Sequence, residues 1–92
     1  MKHPLKVEGF DGSLDDLAKA IGKMRFDSID DFLRCLAEDL HKQADDDNEA
    51  GRIQLANSLY SAALNVYSAR DKIAKAWKIS KPYMQDTEQE TQ

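Results

Sequence analysis

Residues 49–79 read EAGRIQLANSLYSAALNVYSARDKIAKAWKI, and this stretch decides the fold. It contains no proline and one early glycine, and its apolar residues recur at steps of three and four. That spacing places them along one side of an α-helix. The stripe consists of Ala56, Leu59, Ala63, Val66, Ile73 and Trp77, with Arg70 in the one position that is not apolar. Such a long stripe must be covered by another helix, from the same chain or from a second copy.

The chain has the size and composition of one small helical domain. It contains 92 residues, a third of them charged, and its formal net charge is −4. We expect a single domain at residues 1–84 and a disordered acidic tail at residues 85–92. A domain this small buries a modest core, so a partner that adds buried surface would contribute strongly to its stability.

Several classes of protein are disfavoured by composition. Cys35 is the single cysteine, which excludes an internal disulfide framework and a multi-cysteine metal site. No apolar run approaches the roughly 20 residues of a spanning helix, and the first residues lack the apolar core of a secretory signal. We therefore expect a cytoplasmic protein with no membrane partner. Nucleic acid is not expected as the main ligand of an acidic chain, although Lys72, Lys75 and Lys78 could form one basic strip.

Helix boundaries are predicted from capping residues and breakers. Ser13 precedes two aspartates, and Ser28 precedes two more, so each serine is predicted to cap a helix. The polar run at residues 45–49 is predicted as a hairpin turn, with Asp47 or Asn48 capping the next helix. A continuous helix through this run is the alternative. Pro82 is predicted to end the last helix before Lys81. The predicted helices span residues 13–23, 28–46 and 48–79.

The predicted lengths favour an all-α helical hairpin or three-helix bundle with a long C-terminal helix. At 1.5 Å per residue the three helices measure about 16, 28 and 46 Å, so the second cannot cover the third alone. Either the first two helices lie end to end along the third, or a second copy covers the remainder. We expect the hairpin to dimerise into a larger bundle.

Three groups of polar residues were considered as candidates for chemistry. Glu38 and His41 have the Glu-x-x-His spacing of di-iron bundles, but both point away from the apolar face and residues 52–79 contain no glutamate. Residues 45, 47 and 49 match the first ligands of a calcium loop, which lacks its glycine and its final glutamate here. Aspartate pairs at residues 15–16 and 30–31 are explained by first helical turns. No metal or cofactor site is predicted.

The sequence thus predicts a small protein-interaction or structural module without catalytic activity. The expected partner is a second copy, and another protein is the alternative partner. We expect the interface to contain Leu59, Ala63, Val66, Arg70, Ile73 and Trp77. Arg70 is expected to be partly buried or at an interface. It is expected either to pair with an acid on a neighbouring helix, such as Glu38, Asp39 or Asp31, or to extend to solvent at the edge of the stripe. The alternative function is a divalent-metal-dependent enzyme that resembles nucleotide pyrophosphatases and uses helix-borne carboxylates. The chain as a whole resembles the short helical proteins that are common in bacteria, so a bacterial protein is expected.

Overall fold

The chain folds as a helical hairpin preceded by a short helix. The computed structural model describes residues 3–91, with side chains as far as Tyr83. Its helices are α1 at Leu14–Gly22, α2 at Phe26–Glu49 and α3 at Ile53–Thr91, and the described residues form no β-strand. Helices α2 and α3 pack extensively against each other. The predicted all-α hairpin with a long C-terminal helix is confirmed.

The turn between α2 and α3 is made by three residues after the acidic run. Gly51 adopts a positive φ of 85°, and its N–H donates to the carbonyl of Asn48. The N–H of Arg52 donates to the carbonyl of Asp47, which completes a Schellman ending for α2. The predicted turn at residues 45–49 is therefore wrong, and so is the alternative of a continuous helix.

The acidic run forms the last turn of α2, where negative charge opposes the helix dipole. Two contacts with α3 and the turn hold it there. The Nε atom of Arg52 lies 2.7 Å from Oδ1 of Asp47, and the hydroxyl of Tyr60 donates to Asp45. Asp47 and Asn48 both lie inside α2, and α3 does not begin until Ile53. Neither residue therefore caps the next helix as predicted.

The two predicted serine caps have different outcomes. Ser13 forms the predicted capping box: its hydroxyl accepts from the N–H of Asp16, and the Asp16 carboxylate accepts from the N–H of Ser13, both at 3.1 Å. Ser28 lies inside α2, so its predicted role as a cap is wrong. Helix α2 begins at Phe26, two residues earlier than predicted. The Arg25 guanidinium, 2.7 Å from the Asp27 carboxylate, braces this start.

The end of α3 also differs from the prediction. The helix continues through Pro82 to Thr91. Pro82 cannot donate a hydrogen bond to the carbonyl of Lys78, and its ring crowds that carbonyl, so it costs about 3 kcal/mol at this interior position of α3. The predicted tail, residues 85–92, lies beyond the last described side chain; its backbone continues α3 as far as Thr91.

The register of the hairpin is set by cross-helix pairs. Asp45 contacts Tyr60, Asp30 contacts Arg70, and Arg25 lies over the ring of Trp77. The helices are therefore antiparallel, and α3 extends past the start of α2 beyond Trp77. Helix α1 buries none of its residues, and Leu14 on its apolar side is 58 % exposed.

Candidate interaction surface

Four alanines form the buried centre of the hairpin. Ala37 and Ala44 on α2 and Ala56 and Ala63 on α3 are at most 1 % exposed. Each pair is separated by seven residues, so its members share one side of their helix. Small side chains allow two helices to approach closely. Among the described residues no large side chain is fully buried, so the fully buried part of the contact between α2 and α3 consists of alanines, while the larger apolar side chains around it stay in partial contact with water.

Arg70 crosses this contact and binds the acidic helix. Its Nε atom lies 2.6 Å from Oδ1 of Asp30, and the side chains are 30 % and 23 % exposed. The hydrogen bond to Asp30 raises the pKa of Arg70 above its usual value. The predicted partial burial of Arg70 is confirmed. The partner is an acid on a neighbouring helix, as predicted, but it is Asp30 and not Glu38, Asp39 or Asp31, because Asp30 is the residue on α2 that faces Arg70.

One side of the hairpin is polar. The Tyr60 hydroxyl donates to Asp45, and this bond raises the pKa of Tyr60. The Nδ1 atom of His41 lies 3.5 Å from Oδ2 of Asp45, and the His41 ring meets the Tyr60 ring edge-on with centroids 5.0 Å apart. These three side chains form a polar cluster in which His41 and Asp45 are exposed and Tyr60 is half-buried.

The opposite side of the hairpin is apolar, and we name it the open face. A rotation of 100° per residue places its members away from His41 and Tyr60. All of them are half-buried or exposed. On α2 they are Phe26, Ile29, Phe32, Leu33, Leu36 and Leu40, and on α3 they are Leu55, Leu59, Ala62, Val66, Ala69, Ile73, Ala76 and Tyr83. The face therefore presents a continuous apolar surface formed by both helices.

The six predicted interface residues occupy different environments. Ala63 is buried against α2, and Arg70 is paired with Asp30. Trp77 is half-buried where α2 begins, with the Arg25 guanidinium carbon 5.4 Å from its ring centroid. Leu59, Val66 and Ile73 are half-buried on the open face. The sequence stripe thus contains both the inner contact and part of the outer surface.

Several residues of the open face widen the apolar stripe in the sequence but lie outside the six predicted interface residues. Leu55 is 48 % exposed and Tyr83 is 78 % exposed, and Ala69 between them is also exposed. The signal was a second seven-residue series, composed of Leu55, Ala62, Ala69, Ala76 and Tyr83. This series runs beside the first and could have been read from the sequence as a separate outer seam.

The residues considered for metal or catalytic chemistry are dispersed. Glu38 binds Arg34, with Oε1 and Nη1 3.1 Å apart, while His41 contacts Asp45 on another side of α2. Cys35 is exposed. Within the part of the chain that the structure describes, no three His, Cys, Asp or Glu side chains are grouped in a way that could hold a metal ion.

A cleft lies where the N-terminal segment meets the turn. It has a volume of about 350 Å³ and is lined by His3, Gln43, Asp46, Asp47, Arg52 and Leu55. Asp47 and Arg52 already bind each other across its wall. His3 in the lining shows that the segment before α1 lies near the turn end of the hairpin, close to Leu55 of the open face.

Comparison with known proteins finds no matching protein family, no matching curated protein and no matching solved structure. Of the helices in the described residues, none has the length and apolar character needed to cross a bilayer. The function must therefore be argued from the surface itself.

Proposed function

We propose that the protein is a small helical interaction or structural module whose open face binds a second copy of the chain, with no catalytic activity of its own. It would act in the cytoplasm of a bacterium as a homodimeric helical bundle. The observation that supports this most is the open face, which is a two-helix apolar surface whose large side chains all retain contact with water.

The energetic argument follows from what the hairpin buries. Its fully buried side chains are alanines, which each remove little apolar area from water. Covering one large apolar side chain completely is worth about 1.5–3 kcal/mol relative to leaving it exposed. Leu36 and Phe32 are 38 % and 39 % exposed, so part of the free energy of burying these side chains and their neighbours on the open face is not gained in the single chain. A helical surface bound to the open face would bury these side chains and gain that free energy.

A second copy suits this surface because a two-fold dimer places the same patch on both partners. Two open faces would bring four helices together around one apolar centre, which is the arrangement of a four-helix bundle. The apolar side chains of both α2 and α3 would then be enclosed together.

The test is the mass in solution, measured by sedimentation equilibrium over a range of concentrations. The parent chain should sediment as twice its 10.4 kDa mass. Leu36→Glu places a charge in the centre of the open face and should weaken dimerisation about tenfold or more. Leu64→Glu is the matched control, because Leu64 is 66 % exposed on the polar side of the hairpin.

A parent chain that remains monomeric at high micromolar concentration would contradict the proposal. Equal weakening by Leu36→Glu and Leu64→Glu would also contradict it, because the effect would then reflect added charge and not the open face.

A further inference from the structure

We infer that the second copy lies antiparallel across the open face, with the two hairpin turns at opposite ends and a two-fold axis at the level of Ala69 and Leu33. This inference rests on the proposed dimer and specifies its geometry. Each α3 would then pack against the partner's α3, and each α2 against the partner's α2. Three independent features of the hairpin point to this arrangement.

The first feature is the symmetry of the apolar series on both helices. On α3 the outer series Leu55, Ala62, Ala69, Ala76 and Tyr83 has a large residue at each end, alanines between them and Ala69 at its centre. On α2, Phe26 and Leu40 stand seven residues on either side of Leu33. In an antiparallel pair of identical helices, residue i of one copy meets residue j of the other and j meets i. An axis at Ala69 therefore pairs Leu55 with Tyr83 and Ala62 with Ala76, and an axis at Leu33 pairs Phe26 with Leu40, so apolar residues meet apolar residues along both helices.

The second feature is that the two centres lie at one level. Residue numbers of cross-helix pairs sum to between 100 and 105, as in Asp30 with Arg70 and Asp45 with Tyr60. Ala69 and Leu33 sum to 102, so one axis perpendicular to the helices can pass through both positions. Parallel copies would not require any such coincidence.

The third feature is the distribution of charge along the hairpin. The half next to the turn, residues 38–64, contains six acids and two Lys or Arg, a net charge of −4. The other half as far as Tyr83, residues 23–37 and 65–83, contains four acids and eight Lys or Arg, a net charge of +4, and the three acids of residues 84–92 reduce this to +1. Antiparallel copies bring each half beside its opposite, whereas parallel copies bring like charges together.

The antiparallel arrangement also covers the part of α3 that has no α2 beside it. Beyond Trp77 the helix extends past the start of α2, and Tyr83 on this extension is 78 % exposed. An axis at Ala69 places Tyr83 against the partner's Leu55, which is 48 % exposed near the turn. The two most distant members of the outer series would thereby bury each other.

The experiment is cysteine cross-linking in full-length chains that carry Cys35→Ser. Ala69→Cys should form a disulfide with itself under mild oxidation, because residues on the axis can approach within the 4.4–6.8 Å between Cα atoms that a disulfide needs. Ser68→Cys, exposed on the adjacent outer side of α3, is the control and should cross-link at least about tenfold more slowly.

The relative orientation of the two copies is tested with cysteines at the two ends of the outer series of α3. Chains with Leu55→Cys mixed with chains with Tyr83→Cys should form a mixed disulfide, while Leu55→Cys alone should not cross-link. Equal helicity by circular dichroism verifies that each variant is folded before oxidation.

The alternatives give separate outcomes. Self-linking of Leu55→Cys would overturn the antiparallel arrangement, because it would place the two hairpin turns at the same end. A dimeric mass without cross-linking at Ala69→Cys would overturn the arrangement while leaving the proposed dimer. A monomeric mass with no cross-link would overturn both, and would assign the open face to the chain's own N-terminal segment or to a different protein.

Discussion

Helix α3 carries two alanine-containing series with the same seven-residue spacing and different environments. Ala56 and Ala63 are buried against α2, whereas Ala69, on the outer series with Ala62 and Ala76, is exposed. The difference teaches that periodicity determines which residues share a side of a helix, while specific contacts at the turn and at Arg70 determine which side meets α2.

The largest expected difference in stability is between a variant with leucine in place of an alanine of the inner series and one with leucine in place of an alanine of the outer series. Ala63→Leu overpacks the contact between α2 and α3 and should lower the free energy of unfolding by about 1–3 kcal/mol. This corresponds to a decrease in Tm of roughly 5–20 °C in a domain of this size. Thermal unfolding by circular dichroism, repeated at several protein concentrations, measures the effect.

Ala69→Leu is the matched control for Ala63→Leu. Ala63→Leu should lower Tm at every concentration, because it acts within one chain. Ala69→Leu should chiefly change how steeply Tm rises with concentration, because it acts on the surface proposed to bind a second copy. Identical behaviour of the two variants would mean that the inner and outer series are not distinct.

The next effect concerns the turn that orients the two series. Gly51 has a φ of 85°, and Gly51→Ala should destabilise the hairpin by about 1 kcal/mol through backbone strain alone, since nothing lies within 4 Å of the added Cβ. Gly22→Ala meets equally open space without a positive φ and should change stability by less than about 0.5 kcal/mol. Denaturant titration compares them, and an unaffected Gly51→Ala variant would remove strain as the reason for glycine there.

A smaller effect is expected from the pair that fixes the register near the middle of α3. Arg70→Asp and Asp30→Arg should each lower Tm, since each leaves a half-buried charge beside a like charge. The double exchange should recover part of the loss because it restores an opposite pair. Strictly additive losses in this double-mutant cycle would show that the two side chains act independently.

The smallest effect is expected in acid, at the start of α2. The hydrogen bond from the Arg25 guanidinium lowers the pKa of Asp27 below its ordinary value of 3.8. A carboxylate with a lowered folded-state pKa contributes stability above its unfolded pKa, and this contribution is lost as pH falls through the folded-state pKa. The Tm difference between the parent and Asp27→Asn should therefore shrink below about pH 4.

Arg25→Ala serves as the control in acid. It removes the guanidinium that donates to Asp27, so the Tm of this variant should depend less on pH below about pH 4. A Tm difference between the parent and Asp27→Asn that stays constant from pH 7 to pH 2 would contradict the assigned cause.

Much of the fold could be predicted from local residue chemistry. The stripe on α3, the cap at Ser13 and the antiparallel hairpin all follow from periodicity and capping residues close in sequence. The partial burial of Arg70 was also predictable, because it interrupts an apolar series. These features depend on neighbours within one or two helical turns.

The errors arose where contacts between distant residues decide the structure. The acidic run looked like a turn, but bonds from Tyr60 and Arg52 hold it in α2, and Gly51 supplies the real stop. The Asp30 partner of Arg70 depends on a register across 40 residues, which no local pattern specifies. The outer series was visible, but sequence alone could not show which of two parallel series remained exposed.

The alanine centre has a consequence for how the molecule responds to heat and denaturant. The heat capacity change and the urea dependence of unfolding both scale with the apolar area newly exposed to water. The fully buried side chains of the hairpin are alanines, and its large apolar side chains keep contact with water in the folded chain. A lone chain therefore exposes less apolar area on unfolding than a dimer would, and it should melt over a wider temperature range with a shallower urea dependence. A sharp transition would accordingly report on association between chains, and calorimetry on a dilution series would show the melting curve broaden as those associations are lost.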